Sequence, residues 1–377
     1  MLEIQDIFAE HGDTYHRNHP ISFAQSKAMI DIERCRTAAL GAHIDVCDNC
    51  NNTEISYNSC RNRHCPKCQT LPKERWIDNR KHDLLNIGYF HVVFTVPSEL
   101  RSVFYQNQTV LYNLLFKATA ETLQVLASNK KYLGAKLGFT SILHTWAQNL
   151  CYHPHIHCIV PGGGLDDLGG WKESRKKFFI PVRVLSRLFR GKFMHYLKEA
   201  ELQFYGKLKI MENTDSWNRL LDICYRKEWV VYCKSPFKDA ACVVEYLGRY
   251  THRVAISNNR IVNIDNGQVS FRWRDYDEQN RWKTMSLPTD EFIRRFLMHI
   301  LPQRFMKIRH YGLLANRGKS KRLDLCKRLT CTPIILRQTF TAAELIFRLT
   351  GLDITKCSVC GHDKHHCYMS QAPPVSA

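Results

Sequence analysis

Long apolar stretches are missing from this sequence of 377 residues. No run approaches the roughly 18 apolar residues that a membrane span needs. The opening stretch, MLEIQDIFAEHGDTYHR, lacks the basic start and apolar core that mark a secretory signal. Internal repeats and low-complexity tracts are missing too. The sequence therefore predicts a cytoplasmic protein with reduced thiols and no membrane partner.

Acidic residues are scarce relative to basic ones. The chain has 35 Asp and Glu against 54 Lys and Arg, which gives a formal net charge of +19 and a sequence pI of about 9.3. Such an excess is typical of proteins that bind a polyanion, and nucleic acid is the first candidate. DNA binding would place the protein on the nucleoid.

Cysteine, by contrast, is abundant, with sixteen residues. Two short motifs, Cys47-x-x-Cys50 and Cys65-x-x-Cys68, are separated by 14 residues. In a reducing compartment this spacing is typical of structural zinc sites, in which two tight turns each supply two thiolates. We therefore expect these four residues to bind one Zn²⁺ that holds a small domain together.

Other residues of the same stretch leave the ligand set open. Cys60, His64 or Cys35 could replace one of the four cysteines or serve a second ion. A further cluster near the C-terminus is a weaker candidate for metal binding: Cys357, Cys360, Cys367, His362, His365 and His366. Three basic residues lie among the zinc ligands and suit contacts with DNA phosphates: Arg61, Arg63 and Lys67.

Alternating histidines occupy the stretch YHPHIHCIVPGGG. In a strand, residues two apart point to the same face, so His155 and His157 project together, about 6.5 to 7 Å apart along the backbone. The residues between and after them, including Ile156 and Cys158, then point into the core. Two neutral imidazoles on one strand can bind a divalent ion and leave coordination positions open for catalysis. Ordinary histidines at a strand edge are the alternative.

A pair of tyrosines follows in EYLGRYTHR. Tyr246 and Tyr250 are four residues apart, so on a helix they share one face. Partly buried packing is the alternative, but Arg249 and Arg253 beside them suit a phosphate-rich neighbourhood. A tyrosine oxygen can attack a DNA phosphodiester and form a covalent phosphotyrosine. Because a phenol has a pKa near 10, a metal on the phosphate would have to stabilise the developing charge.

The middle of the chain predicts an α+β fold. Four segments predict strands: GYFHVVFTVP, GFTSILHTW, HPHIHCIVPGG and EWVVYCKSP. Helical patterns lie between them, so we expect a compact antiparallel sheet with helices on one face. A hairpin is predicted at RIVNIDNGQVSFRWRDY, with DNG as its turn.

Taken together, these motifs resemble a known family. His155-Ile156-His157 matches the histidine–hydrophobe–histidine signature of the HUH endonuclease superfamily. With SCRNRHCPKCQ, with LHTW ahead of HPHIHCIVPGGG and with YLGRYTHR, the chain resembles two-tyrosine transposases of the IS91 group of bacterial insertion sequences. The resemblance implies rolling-circle transposition: nicking of single-stranded DNA at an element end, a 5′-phosphotyrosine intermediate, and strand transfer to target DNA.

The resemblance also implies a ferredoxin-like HUH nuclease core, Mg²⁺ or Mn²⁺ as cofactor, His155 and His157 as metal ligands, and Tyr246 and Tyr250 as nucleophiles. The motif does not give a third ligand; His144 is the first choice, and His153 and Gln148 are alternatives. The resulting domain prediction is an N-terminal zinc- and DNA-binding module (1–80), the nuclease (81–260), a basic C-terminal region (261–350), and a second possible metal cluster with a disordered tail (351–377).

Two other functions fit parts of the same pattern. A plasmid replication initiator or a conjugative relaxase would keep the nuclease chemistry, and a non-catalytic zinc-dependent DNA-binding protein would make the histidines and tyrosines coincidental. No G-x-x-x-x-G-K-[ST] motif occurs, so we expect strand displacement to depend on host replication and helicase enzymes.

Overall fold

The computed structural model describes residues 2–175, 180–234, 243, 248, 255–275, 278–334 and 338–367. Its α-helices are α1 (Ile4–Asn18), α2 (Phe23–Glu33), α3 (Thr70–Lys81), α4 (Arg101–Gln106), α5 (Gln108–Ser128), α6 (Val182–Lys198), α7 (Thr214–Arg226), α8 (Thr289–Leu297), α9 (Lys319–Leu329) and α10 (Ala342–Thr350). Its strands are β1 (Ala42–Cys47), β2 (Thr53–Tyr57), β3 (Tyr89–Thr95), β4 (Gly138–Trp146), β5 (Tyr152–Pro161), β6 (Gly163–Leu165), β7 (Trp171–Glu173), β8 (Val231–Lys234), β9 (Ile261–Asp265), β10 (Gln268–Asp275), β11 (Arg281–Pro288), β12 (Ile308–Gly312) and β13 (Lys364–Cys367).

A five-stranded antiparallel sheet forms the centre of the molecule. Its strands lie in the order β12–β4–β5–β3–β8. Along the chain the elements run β3, α5, β4, β5, α6, β8, which is the β-α-β-β-α-β order of ferredoxin-like folds. The predicted antiparallel α+β core, with its four strands, is therefore confirmed. The sequence prediction missed β12, a short basic strand that extends the sheet beside β4.

Helices α5 and α6 close one face of this sheet. Their apolar stripes pack on alternate residues of β3 and β5, and within this layer the hydroxyls of Tyr112 and Tyr152 bond to each other at 2.5 Å. The largest buried members of this core are Phe90, Phe94, Phe104, Phe116, Phe139, Phe189 and Phe193. Burial of one such ring stabilises the fold by about 1.5–3 kcal/mol, so the packing on this face contributes substantially to the stability of the central sheet.

The opposite face has a different cover. Here Tyr89, Ile142 and Ile159 form a small apolar cluster with Val243, and Trp76 of α3 packs against it. Most other residues on this side of β3, β4 and β5 are histidines and threonines. The period-two alternation of the strands therefore divides the sheet into an apolar face and a polar one.

A second hydrophobic core joins distant parts of the chain. Helices α1 and α2 pack against α8 and the three-stranded sheet β11–β10–β9, and Phe8 meets Phe296 edge-on at 5.4 Å. The predicted hairpin at DNG is present, with Asn266 and Gly267 at φ values of 49° and 69° in its turn. Residues from the predicted 1–80 and 261–350 units thus share one core, although these domain boundaries themselves stay a prediction.

The N-terminal hairpin β1–β2 is extended by β13, from the other end of the chain, to form a third sheet in the order β13–β1–β2. The sequence prediction contained neither the hairpin nor this pairing. Within the described residues, no helix has the length and apolar character that crossing a membrane requires.

Candidate metal centres

Three histidines converge on the polar face of the central sheet. His155 and His157 are alternate residues of β5, and His144 of β4 lies directly opposite His155 in the antiparallel register. The metal-binding atoms of the three side chains all lie within 4.8 Å of one another. The ring centroids of His144 and His157 are 4.2 Å apart, and those of His155 and His157 are 4.8 Å apart. Three imidazoles in this arrangement can bind one divalent ion from one side.

Hydrogen bonds at Nδ1 orient two of these rings. The Nδ1–H of His155 donates to the carbonyl oxygen of His153 at 2.6 Å, and Nδ1 of His157 lies 2.7 Å from Nε2 of His91 on β3. With a proton on each Nδ1, the lone pairs of the Nε2 atoms would be available to a divalent ion, which is the usual arrangement around metal-binding histidines. His91 was not among the sequence predictions. The signal for it was present, because His91 is the third residue of a strand whose alternate residues share a face.

Burial keeps the imidazoles of His155 and His157 neutral. Loss of hydration lowers the pKa of His155 to about 3, with a further contribution from His153, and lowers the pKa of His157 well below its usual value, with His144 as the next cause. A protonated imidazole cannot bind a metal, so a depressed pKa keeps the ligands competent at neutral pH without the release of a proton.

Of the residues considered for the third ligand, the structure brings His144 to the pair. Trp146 stacks on its ring at 4.7 Å with an angle of 19° between the planes, which restricts the orientation of the imidazole. His153, an alternative, is engaged elsewhere, because the guanidinium of Arg101 donates to its Nδ1 at 3.1 Å. The backbone oxygen of Gln148, the other alternative, accepts from Arg260 at 2.6 Å.

The predicted nucleophiles Tyr246 and Tyr250, and the basic residues Arg249 and Arg253, lie outside the described residues. Two positions of the same segment are described. Val243 packs on the polar face of the sheet among Tyr89, Ile142 and Ile159, and Ile142 is the residue paired with His157. At Gly248 an added Cβ would lie 2.2 Å from Cδ1 of Ile77 in α3, so the chain approaches the side chain of Ile77 closely at this position. Both positions therefore lie against the elements that surround the histidines.

The predicted zinc knuckles fall into two separate clusters, which corrects the expectation of a single four-cysteine site. Cys65 and Cys68, just before α3, lie with Cys60 and with Cys35, which follows α2. The Sγ atoms of Cys35 and Cys65 are each 3.5 to 3.6 Å from a neighbouring sulfur of the set. A tetrahedral zinc with Zn–S bonds of about 2.3 Å requires sulfur–sulfur distances of about 3.8 Å, so this set fits Zn²⁺.

The other knuckle, Cys47 and Cys50, lies with Cys357 and Cys360. The physical reason is the hairpin β1–β2, which carries Cys47 away from α3 and brings it beside β13. Sequence spacing pointed to the wrong partner because it measures separation along the chain only. His64 belongs to neither cluster; it is buried, and burial lowers its pKa to about 3.

The three basic residues among the first ligands have different environments. Arg63 donates to the carbonyl oxygen of Phe305 at 2.8 Å, and burial lowers the pKa of its guanidinium. Lys67 forms an ion pair with Glu3. Arg61 is exposed. Of the three, Arg61 is thus the one whose charge faces solvent, while Arg63 and Lys67 hold the cluster against the rest of the fold.

Comparison with known proteins places these features in one family. Residues 138–322 match the family described as "Putative transposase", and residues 7–96 match the family described as "Transposase zinc-binding domain". The first match contains all three histidines of the sheet, and the second contains Cys35, Cys60, Cys65 and Cys68. Fold and sites together thus define a transposase that carries its own zinc-binding domain.

Two relatives extend the match over most of the chain. The chain is 47% identical over 369 residues to "Putative transposase y4qJ" of Sinorhizobium fredii (strain NBRC 101917 / NGR234), which covers 95% of this chain and 92% of the relative. It is 29% identical over 289 residues to the "Transposase for insertion sequence element IS801" of Pseudomonas savastanoi pv. phaseolicola, over 75% of this chain and 68% of the relative. The chain belongs to the IS91 family of transposases.

Among solved structures, a conjugative relaxase TrwC in complex with oriT DNA matches with a TM-score of 0.28 and 10% identity, over 66% of this chain and 95% of the relaxase chain. A metal-free structure of TrwC with oriT DNA matches with a TM-score of 0.26 and 12% identity, over 43% of this chain and 71% of the relaxase chain.

Proposed function

We propose that this transposase nicks and rejoins single-stranded DNA at the ends of an insertion sequence, by a rolling-circle mechanism with a 5′-phosphotyrosine intermediate. The observation that carries the proposal is the set of His144, His155 and His157. These residues present three buried imidazoles from two neighbouring strands on one face of the sheet, and those of His155 and His157 are hydrogen-bonded and neutral.

The donor set fits a divalent cation. Three imidazoles on one side leave positions for phosphate oxygens and water, as a catalytic rather than a structural site requires. An all-nitrogen set suits Mn²⁺ better than Mg²⁺, which prefers oxygen ligands. When bound, the ion would supply Lewis-acid stabilisation of charge on the scissile phosphate.

The chain itself supplies the nucleophile and the electrostatic surroundings. In the proposed step the hydroxyl oxygen of Tyr246 or Tyr250 forms a bond to phosphorus, the bond from phosphorus to the 3′-oxygen breaks, and the phenolic proton ends on the 3′-hydroxyl. The phosphotyrosine conserves the bond energy, so reversal of the step rejoins DNA without ATP. Two tyrosines allow a second cleavage while the first 5′ end is still held.

Basic side chains would hold the DNA backbone in place. Arg249 and Arg253 flank the proposed nucleophiles, and Arg61 is exposed beside the first cysteine cluster. Arginine binds phosphate through several parallel hydrogen bonds, which fixes the geometry of the strand as well as its position. We expect the zinc-binding domain to contact the element end and host replication enzymes to displace the strand.

A covalent adduct assay tests this function. A single-stranded oligonucleotide carrying an element end, incubated with the full chain and Mn²⁺, should give a protein–DNA adduct that survives denaturation. The double variant Tyr246→Phe and Tyr250→Phe should give none. Tyr205→Phe, which removes the hydroxyl of an exposed tyrosine, should form the adduct at the wild-type rate.

Each outcome decides a separate point. An adduct from the double phenylalanine variant would refute the assignment of the nucleophiles. Adduct formation at the wild-type rate after removal of all free divalent cation would refute the role of the histidines. No adduct from the wild type on any end sequence would favour a DNA-binding protein without catalysis. The two single tyrosine variants show which residue acts first.

A further inference from the structure

The cysteines Cys47, Cys50, Cys357 and Cys360, which we call the terminal cluster, come from opposite ends of the chain. Sγ of Cys47 lies 3.4 Å from Sγ of Cys360, and Sγ of Cys50 lies 3.6 Å from Sγ of Cys357. All four sulfurs lie within 4.8 Å of one another. The distances are far longer than the roughly 2.05 Å of a disulfide and close to the edges of a tetrahedron around Zn²⁺.

The two halves of the terminal cluster have the same backbone geometry. Asn51, which follows Cys50, and Gly361, which follows Cys360, both have left-handed φ values, of 54° and 75°. The N–H of Asn51 donates to the carbonyl oxygen of Cys47 at 3.0 Å, and the N–H of Gly361 donates to that of Cys357 at 3.0 Å. A turn of this kind directs the two sulfurs of a Cys-x-x-Cys motif to one side, and here the two turns face each other.

Contacts around the sulfurs also fit thiolate ligands. Sγ of Cys357 accepts from the N–H of Val359 at 3.4 Å and from the side-chain amide of Asn52 at 3.8 Å. Glu54 of β2 accepts from the hydroxyl of Ser358 at 2.7 Å and pairs with Lys364 of β13 at 2.8 Å. Donors to sulfur stabilise a negative charge on it, and the ion pair fixes the C-terminal knuckle on the hairpin.

We propose that the terminal cluster binds a second Zn²⁺, which joins residues 357–360 to the N-terminal hairpin. The matched zinc-binding domain ends at residue 96, so half of this site lies outside it. Binding exchanges the thiol protons of the four cysteines for bonds to one ion. Because protons compete with the metal, the affinity for Zn²⁺ decreases as the pH is lowered.

The second site closes a large part of the chain into a ring. Cys47 and Cys360 are 313 residues apart, and α10 lies just before Cys357. Arg348 of α10 pairs with Asp78 of α3 at 3.1 Å, and α3 also carries Ile77, the neighbour of position 248. The terminal zinc therefore holds α10 against the helix that lies beside the proposed nucleophile segment.

Zinc content of the purified full chain gives the first test. The wild type should contain two zinc ions per chain, and the double variant Cys357→Ser and Cys360→Ser should contain one. The reciprocal variant Cys47→Ser and Cys50→Ser should also contain one, and the quadruple variant should still contain one, because both pairs bind the same ion. Cys331→Ser, at an exposed cysteine outside both clusters, should retain two.

The quadruple variant separates this site from two independent ones. Loss of a further ion on combining the two pairs would show that each pair binds its own metal, and a wild type with a single zinc would overturn the proposal outright. The ion bound at Cys35, Cys60, Cys65 and Cys68 reports whether each variant remains folded in that region.

Alkylation of the native wild type provides a test that needs no variant. Cys50 is exposed, as is Cys331, so accessibility alone predicts equal labelling by iodoacetamide. Ligation predicts that Cys331 is labelled promptly, whereas Cys50 and Cys360 are protected until a chelator removes the metal. Labelling of Cys50 at the rate of Cys331 before chelation would refute the second site, whether or not any variant folds.

Discussion

The two faces of the central sheet are made by alternate residues of the same strands and have opposite properties. Along β5, Ile156 and Cys158 are fully buried under α5 and α6. Between and beside them, His155 and His157 face the other way, toward His144 and His91. One face is shielded from water by apolar contacts, whereas the other keeps polar groups desolvated by bonding them to one another.

This difference shows that alternate residues of the same strands serve different purposes: one set stabilises the fold, and the other set forms the candidate metal site. A change on the apolar face removes packing without touching the histidines, and a change on the histidine face removes a ligand without opening a cavity under the helices. The predictions below test that separation. They also ask how far the buried histidines contribute to stability as well as to metal binding.

The largest effect should come from the ligands themselves. Replacing His155 and His157 together by alanine should lower the rate of adduct formation with Mn²⁺ by at least about 10³-fold, since about 4 kcal/mol of charge stabilisation at the phosphate is lost. The unfolding midpoint should change less than on replacement of a core phenylalanine. Rapid-quench adduct assays and thermal unfolding measure the two quantities.

His195→Ala provides the control for this double variant. His195 is an exposed residue of α6 on the far side of the sheet, and its loss should leave the rate unchanged. If the double alanine variant retained wild-type cleavage, the histidine cluster would be a structural feature and the metal would bind elsewhere.

Phe94→Ala should produce the complementary defect on the apolar face. The ring of Phe94 is fully buried and lies 5.0 Å from that of Phe189 in α6, so truncation should lower the free energy of unfolding by about 3–5 kcal/mol. Affinity for Mn²⁺, followed through the electron paramagnetic resonance signal of the free ion, should stay within a few-fold below the unfolding temperature. Phe94→Leu should show a smaller loss of stability. A collapse of metal affinity in a still-folded Phe94→Ala protein would show that the faces are coupled.

The sequence predicted local features better than distant ones. Strand alternation placed His155 and His157 on one face, because period-two geometry needs only neighbouring residues. His144, the first choice for a third ligand, lies opposite His155 in the next strand. Strand alternation could equally have identified His91, since YFHVVFT has the same pattern. Spacing could not pair Cys47 with Cys360, because that contact depends on how β13 reaches β1 at the far end of the chain. The same limit explains why β12 was missed. Its composition has no strand pattern, and the segment forms a strand by pairing with β4.

A smaller effect should follow from changing the support of a ligand. His91→Phe keeps a planar ring beside His157 but removes the nitrogen at 2.7 Å from its Nδ1. Loss of such a partner typically weakens metal binding by about 10–100-fold, and the same Mn²⁺ titration measures it. His310→Phe is the matched control, because His310 lies on the same face but bonds to Thr140 at 2.9 Å, away from the cluster. Equal losses in both variants would point to a general disturbance of this face.

The smallest predicted effect concerns the stability of the fold at low pH, where a buried, neutral His155 should be destabilising. Burial holds the pKa of His155 at about 3 in the folded chain, against about 6.5 when unfolded. The unfolded state therefore binds more protons between these values, so stability is fully present above about pH 6.5 and falls as the pH is lowered. At pH 5 the loss is about 2 kcal/mol for one such histidine.

Without Mn²⁺ or Mg²⁺, His155→Gln should therefore show a smaller drop in urea midpoint between pH 7 and pH 5 than the wild type. Comparing the two proteins cancels the acid sensitivity of the cysteine clusters, which both share. Parallel pH profiles would mean that His155 is hydrated in solution, and the closed, neutral histidine face would then be the wrong description of this side of the sheet.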